Sequence, residues 1–120
     1  MINEVNNKPD VLTPVERQLE AYNAKKIIPF TSQFSDDIEV FRPPNPNSVI
    51  KGIKDFTDFY KTQRFNLDYL HAEVLQRTVV GNKVIDHERV SSEKGVTREV
   101  AVVYEIKANK IAKVWFFSAE

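Results

Sequence analysis

Asp86, His87, Glu88 and Arg89 stand in a row within the segment VIDHERVSS, and each can move a proton or hold a charge. An imidazole titrates near neutrality, and a carboxylate becomes a general acid or base when its surroundings tune it. A guanidinium can hold a carboxylate or a developing oxyanion. Such a set suits proton transfer on a small carbonyl compound. The run lies inside a strand pattern, however, and successive side chains of a strand point to opposite faces. Asp86 and Glu88 therefore share one face, and His87 and Arg89 share the other.

The elements that position these residues follow from the turns. Gly81-Asn82 is a two-residue hairpin signal, so Val80 pairs with Lys83 and the ladder steps outward from there. Asp86 then lies opposite Arg77, His87 opposite Gln76, Glu88 opposite Leu75 and Arg89 opposite Val74. The Asp86 and Arg77 pair reads as an ordinary cross-strand ion pair, contributing about 0.2–1 kcal/mol. A turn over residues 108–110 sets Glu105 against Lys113, Val103 against Trp115 and Ala101 against Phe117. On the opposite face it sets Tyr104 against Val114, Val102 against Phe116 and Val100 against Ser118. Both faces of this hairpin are apolar. A sheet with helices on one side and Ala101, Val103, Trp115 and Phe117 on the other carries a partner surface, here read as a homodimer face.

Upstream of the strands the pattern is helical. Thr13, Pro14 and Glu16 predict an N-cap, a first helical residue and a capping box, opening a helix to about Lys25 with Val15, Leu19 and Tyr22 on one stripe. Residues 27–34 predict a short second helix, 36–42 a strand, 48–52 a returning strand, and 52–64 a third helix that buries Ile53, Phe56, Phe59 and Tyr60. Strands are expected over 69–80, 83–92, 97–107 and 111–119. Helices first and an antiparallel meander after make one α+β domain over residues 13–120, behind a loose arm over 1–12.

Composition narrows the function classes. The 120 residues carry 17 basic and 17 acidic side chains, so no net field recruits nucleic acid or an anionic membrane. The absence of cysteine excludes thiolate chemistry and disulfides. His71 and His87 fall on opposite sheet faces by the hairpin register, which leaves no convergent ligand set for a metal. No apolar run reaches membrane-spanning length and no signal peptide opens the chain, so a cytoplasmic protein is expected.

The segments ERQLEAYNAKKIIPFTSQFSDDIEVF, GIKDFTDFY, VIDHERV and NKIAKVWFF, in this order, resemble the nuclear transport factor 2-like superfamily, in particular its SnoaL-like branch. The resemblance implies a cystatin-like cone. In it, three helices pack within a strongly curved antiparallel sheet around a deep, largely apolar pocket, commonly in a dimer through the outer face. It does not imply one activity, because the cone serves isomerases, cyclases, epoxide hydrolases, dehydratases and binding proteins. The ketosteroid isomerase pattern is not met: its base carboxylate falls on Arg42, its tyrosine on Gln18 and its protonated aspartate on Val102. Of the limonene epoxide hydrolase set only Arg89 survives, the two aspartates falling on Ser91 and Phe116. The late carboxylate of the polyketide cyclases finds no match among Val114, Phe116 and Ser118.

Register and resemblance together predict a pocket lined by Gln18, Tyr22, Phe30, Arg42, Tyr60, Gln76, Val102, Tyr104 and Phe116, with His87 and Arg89 as catalytic residues. The implied activity is cofactor-independent isomerase, cyclase or lyase chemistry on a small, mostly apolar ligand. The competing readings are a polar seam in which His87 bonds Gln76, and a non-catalytic interaction or dimerisation module.

Overall fold

A computed structural model describes residues 10–119. Helix α1 (Leu12–Ala24) and the short α2 (Ile27–Thr31) precede strands β1 (Phe34–Phe41) and β2 (Ser48–Lys51). Helix α3 (Ile53–Gln63) follows, and then the meander β3 (His71–Val80), β4 (Lys83–Glu93), β5 (Val96–Lys107) and β6 (Lys110–Ser118).

The cap of α1 differs from the expected one. The Asp10 carboxylate, rather than Thr13, accepts hydrogen bonds from the backbone N–H of Leu12 and Thr13 at 3.0 and 3.3 Å, and the Thr13 hydroxyl donates to it as well. An anion of Asp10 satisfies orphan donors and complements the helix dipole, so α1 starts before Thr13 and leaves Pro14 in its first turn. These bonds, the Thr13 hydroxyl foremost, hold the Asp10 carboxyl below the usual carboxylate range. Of the expected arm, Leu12 is thus the first residue of α1, Asp10 and Val11 lead into it, and residues 1–9 lie outside the described residues. The second helix ends early, at Thr31, because Phe34 is already paired in β1.

The six strands form one sheet in the order β2-β1-β6-β5-β4-β3. Every pairing is antiparallel except β1 with β6, which run parallel, so the sheet is mixed rather than antiparallel throughout. Register shifts interrupt every pairing, and bulges of this kind bend a sheet and increase its twist. The three helices fill the concave side. Phe30 of α2 stands at the centre of their packing, with the rings of Tyr60, Phe34 and Phe65 at 4.8, 5.0 and 5.2 Å. Asn23 ties α1 to β3 by mimicking a strand: its amide donates to the Ala72 carbonyl at 2.9 Å and accepts from the Ala72 N–H at 2.8 Å. Among the described residues no helix is long and apolar enough to cross a membrane.

The hairpin registers carry the consequences for function. The β5–β6 pairs are those expected, Glu105 with Lys113, Val103 with Trp115 and Tyr104 with Val114, although the tip is a two-residue turn and a shift after Glu105 restores the register. In β3–β4 the pairs Val80/Lys83, Arg77/Asp86 and Gln76/His87 also hold. A bulge at Leu75 then moves Glu88 opposite Val74 and Arg89 opposite Glu73. The bulge also sets His71 opposite Ser91, which puts His71 and His87 on the same outer face instead of opposite ones. They remain four residues apart along the ladder, roughly 13 Å, too far to share a ligand.

Candidate functional site

The β4–β5 ladder decides which face of β4 looks inward. Asp86 pairs with Val102 and Glu88 with Val100, and both valines are buried beneath the helices. Asp86 and Glu88 therefore face the concave side, while His87, opposite Ala101, and Arg89, opposite Glu99, face out. The expectation that His87 and Arg89 enter the pocket is reversed. Their side chains are 46% and 44% exposed, His87 Nε2 sits 2.5 Å from Glu99, and Arg89 lies 3.6 and 3.9 Å from Glu73 and Glu99. Gln76 is likewise exposed on the outer face, opposite His87.

On the concave side the two carboxylates have different neighbours. Asp86, with 0% exposure, is gripped bidentately by Arg77, whose Nε and Nη2 donate to its two oxygens at 2.7 and 2.8 Å. The cross-strand ion pair expected from the hairpin is thus present, as a buried, bidentate one. It raises the Arg77 guanidinium pKa further, through the hydrogen bonds to Asp86. Glu88, 5% exposed, has no cation of its own in bonding range among the described residues and accepts a single hydrogen bond, from the Tyr104 hydroxyl at 3.2 Å. The Tyr104 hydroxyl in turn accepts from Gln18 Nε2 at 3.2 Å. Burial, and next the charge of Asp86 two residues away, push the Glu88 carboxyl up from an ordinary 4.5 to about 7.

Glu88 lines a cavity with about 80 Å³ of space open to water. Of the expected pocket residues, Gln18, Tyr22, Phe30, Arg42, Tyr60, Tyr104 and Phe116 line it. Val102 does not: it is buried behind the cavity wall, opposite Asp86. Burial raises the Tyr22 phenol to about 12 and holds the Tyr60 and Tyr104 phenols above their usual range, so all three keep their protons at neutral pH. Glu88 and the mouth residues Arg64 and Arg98 were missed by the sequence reading. Glu93 pairs with Val96 across the turn, and only the register shift between Ser91 and Glu93 sets Glu88 opposite Val100, on the face of Tyr104; the turn carried straight inward would have turned it out. Among the described residues no group of three His, Cys, Asp or Glu side chains is arranged to hold a metal ion.

Three helices in a curved six-stranded sheet, with a cavity between them, define a nuclear transport factor 2-like cone. The sequence profile of the SnoaL-like domain matches residues 15–114, and the chain belongs to that family. Among solved structures, a putative ketosteroid isomerase from Kribbella flavida DSM 17836 superposes with a TM-score of 0.80 at 14% identity, over 92% of this chain and 78% of the other. An uncharacterised cystatin-fold protein from Novosphingobium aromaticivorans gives 0.78 at 22% identity, over 91% and 98%. An epoxide hydrolase of the LEH-like type from M. tuberculosis gives 0.76 at 14% identity, over 91% and 82%. No curated protein sequence matches the chain. At these identities the likeness to the isomerase and epoxide hydrolase structures is one of fold.

Proposed function

We propose that this protein binds a small, mostly apolar ligand in the cone cavity and transfers a proton there without a cofactor, with Glu88 as the acid or base. The observation that carries this reading is a carboxyl group 5% exposed at the cavity wall and bonded only to the Tyr104 hydroxyl, where burial pushes its pKa up to about 7. A group poised near neutrality can both take and return a proton in one catalytic cycle. Tyr104 fixes the carboxyl, Gln18 fixes Tyr104, and Tyr60 and Tyr22 supply further hydroxyls around the same space. Arg77 and Asp86 support the site from behind, as a bidentate pair next to Glu88. The role assigned to His87 from sequence passes to Glu88, and isomerase, cyclase or lyase chemistry remains the class that fits.

The reading is tested without knowing the substrate. Small cyclic ketones are incubated with the protein in heavy water, and deuterium entry at the carbon next to the carbonyl is followed by NMR. Wild-type protein should speed exchange, with a rate that rises through about pH 7 as Glu88 ionises. Glu88→Gln should lower the rate by about 10²–10⁴-fold while ligand binding, read by thermal shift, stays within a few-fold. Equal exchange by the two proteins would remove Glu88 from the chemistry.

A second reading rests on the outer face. Phe41 and Trp115 stack there at 5.4 Å, beside Val103, Ala101 and the 43% exposed Phe117. Charged rows border this stripe, Lys83 with Glu105 on one side and His87 with Glu99 on the other. An apolar centre with a charged rim is the anatomy of a protein interface, and we assign it to a second copy of this chain. A protein-interaction module that uses this face without catalysis is the alternative.

A further inference from the structure

We propose that the ligand of the cavity is an organic anion, whose carboxylate or phosphate is held at the cavity mouth by Arg42, Arg64 and Arg98 while its apolar body extends inward toward Glu88. The proposal rests on the reading of the cavity as a small-molecule site and adds the chemical class of the molecule.

Three separate elements bring these arginines to one cavity: Arg42 follows the end of β1, Arg64 ends α3, and Arg98 lies on β5. Two of the guanidiniums are seated on aromatic faces, Arg42 at 4.7 Å from the Phe116 ring centre and Arg64 at 5.0 Å from that of Phe59. A guanidinium stacked in this way presents its in-plane N–H donors at its edge, where they match the paired oxygens of a carboxylate or phosphate; Arg64 commits only Nη1, to the Gln63 carbonyl at 3.0 Å. Among the described residues no carboxylate lies within 4.0 Å of any of the three, whereas Arg77 and Arg89 each meet two acids. In a chain with 17 basic and 17 acidic residues, this gathering of cations is a local imbalance that an incoming anion neutralises. Among the described residues Glu88 is the sole acidic residue of the cavity lining, and it is buried there. The field of the arginines also reaches inward: Arg64 and Arg98 favour the ionised form of Tyr22, and Arg42 and Arg64 that of Tyr60, both against the larger effect of burial.

The distribution of charge therefore sorts the ligand's two ends. An anionic group is attracted to the mouth and repelled from the depth once Glu88 ionises, so the uncharged, proton-bearing part of the molecule is the part delivered to the carboxyl.

The test compares 3-phenylpropanoate and phenyl phosphate with the neutral 3-phenylpropanamide, by calorimetric titration at low and high salt. At least one anion should bind about tenfold more tightly than the amide, and the ratio between the two anions identifies the preferred head group. That preference should shrink with salt and vanish in the double variant Arg42→Gln, Arg98→Gln, whose two sites are exposed. Arg89→Gln, on the outer face, should retain it. Amide binding as tight as that of the anions, or equal loss in Arg89→Gln, would overturn the anion assignment while leaving the cavity as a binding site. Failure of all three compounds to bind at millimolar concentration would overturn both.

Discussion

Glu88 is held at a cost to the fold. Its carboxyl is surrounded by Asp86 on its own strand, Tyr104 on β5, Gln18 and Tyr22 on α1 and Tyr60 on α3, with Arg77 nearby and Arg42, Arg64 and Arg98 at the mouth of its cavity. An acid whose pKa is raised in the folded chain binds its proton there at a pH where the unfolded chain has released it. Its contribution to stability is therefore intact below about pH 4.5 and is lost as pH rises to about 7. The loss is on the order of 3 kcal/mol. Glu88→Gln should leave stability unchanged near pH 4 and raise it by a comparable amount near pH 8, as read from urea unfolding at the two values. A variant less stable than wild type at pH 8 would mean that the ionised carboxylate is better accommodated than its neighbours imply. That a buried carboxyl is kept at a stability cost is itself an argument for use, since glutamine would fill the same space.

Among the elements, the hairpins were the most legible parts of the chain and also the source of the principal error. Gly81-Asn82 specified the pairing of Arg77 with Asp86 correctly, and the pairs of β5 with β6 followed from their turn. Alternation states which residues share a face, however, not which face is covered. Both faces of β4 carry ionisable groups, and the resemblance of Glu88-Arg89-Val90 to the epoxide hydrolase pattern turned Arg89, and His87 with it, inward. A third strand resolves the question, since Val84, Asp86 and Glu88 pair with Tyr104, Val102 and Val100. The Leu75 bulge was not legible at all, because an inserted strand residue has no composition of its own. The β5–β6 turn retains a mark of strain: Ala108 and Asn109 adopt φ of 50° and 66°, the left-handed region that the first residue tolerates poorly. Ala108→Gly should raise the unfolding midpoint by an amount equivalent to about 0.5–1 kcal/mol, and a lowered midpoint would show that the alanine methyl makes contacts that outweigh the backbone strain.

For the whole molecule, the helices and the apolar stripe of the outer sheet give two candidate surfaces, a cavity inside and a face outside. Self-association through the outer face should give a dimer at micromolar concentration by sedimentation equilibrium, and Trp115→Glu should shift it to monomer without loss of the ketone exchange rate. A wild-type monomer under those conditions would end the dimer reading. The strand order has a further consequence for how the chain is made. Strand β6 lies between β1 and β5, so a chain synthesised only as far as Asn109 holds two separate sheet fragments, β2 with β1 and β5 with β4 and β3. No ladder joins them until residues 110–118 emerge. The wall of the cavity, with Val114 and Phe116 on that strand, is therefore completed only when the last strand of the sheet has left the ribosome.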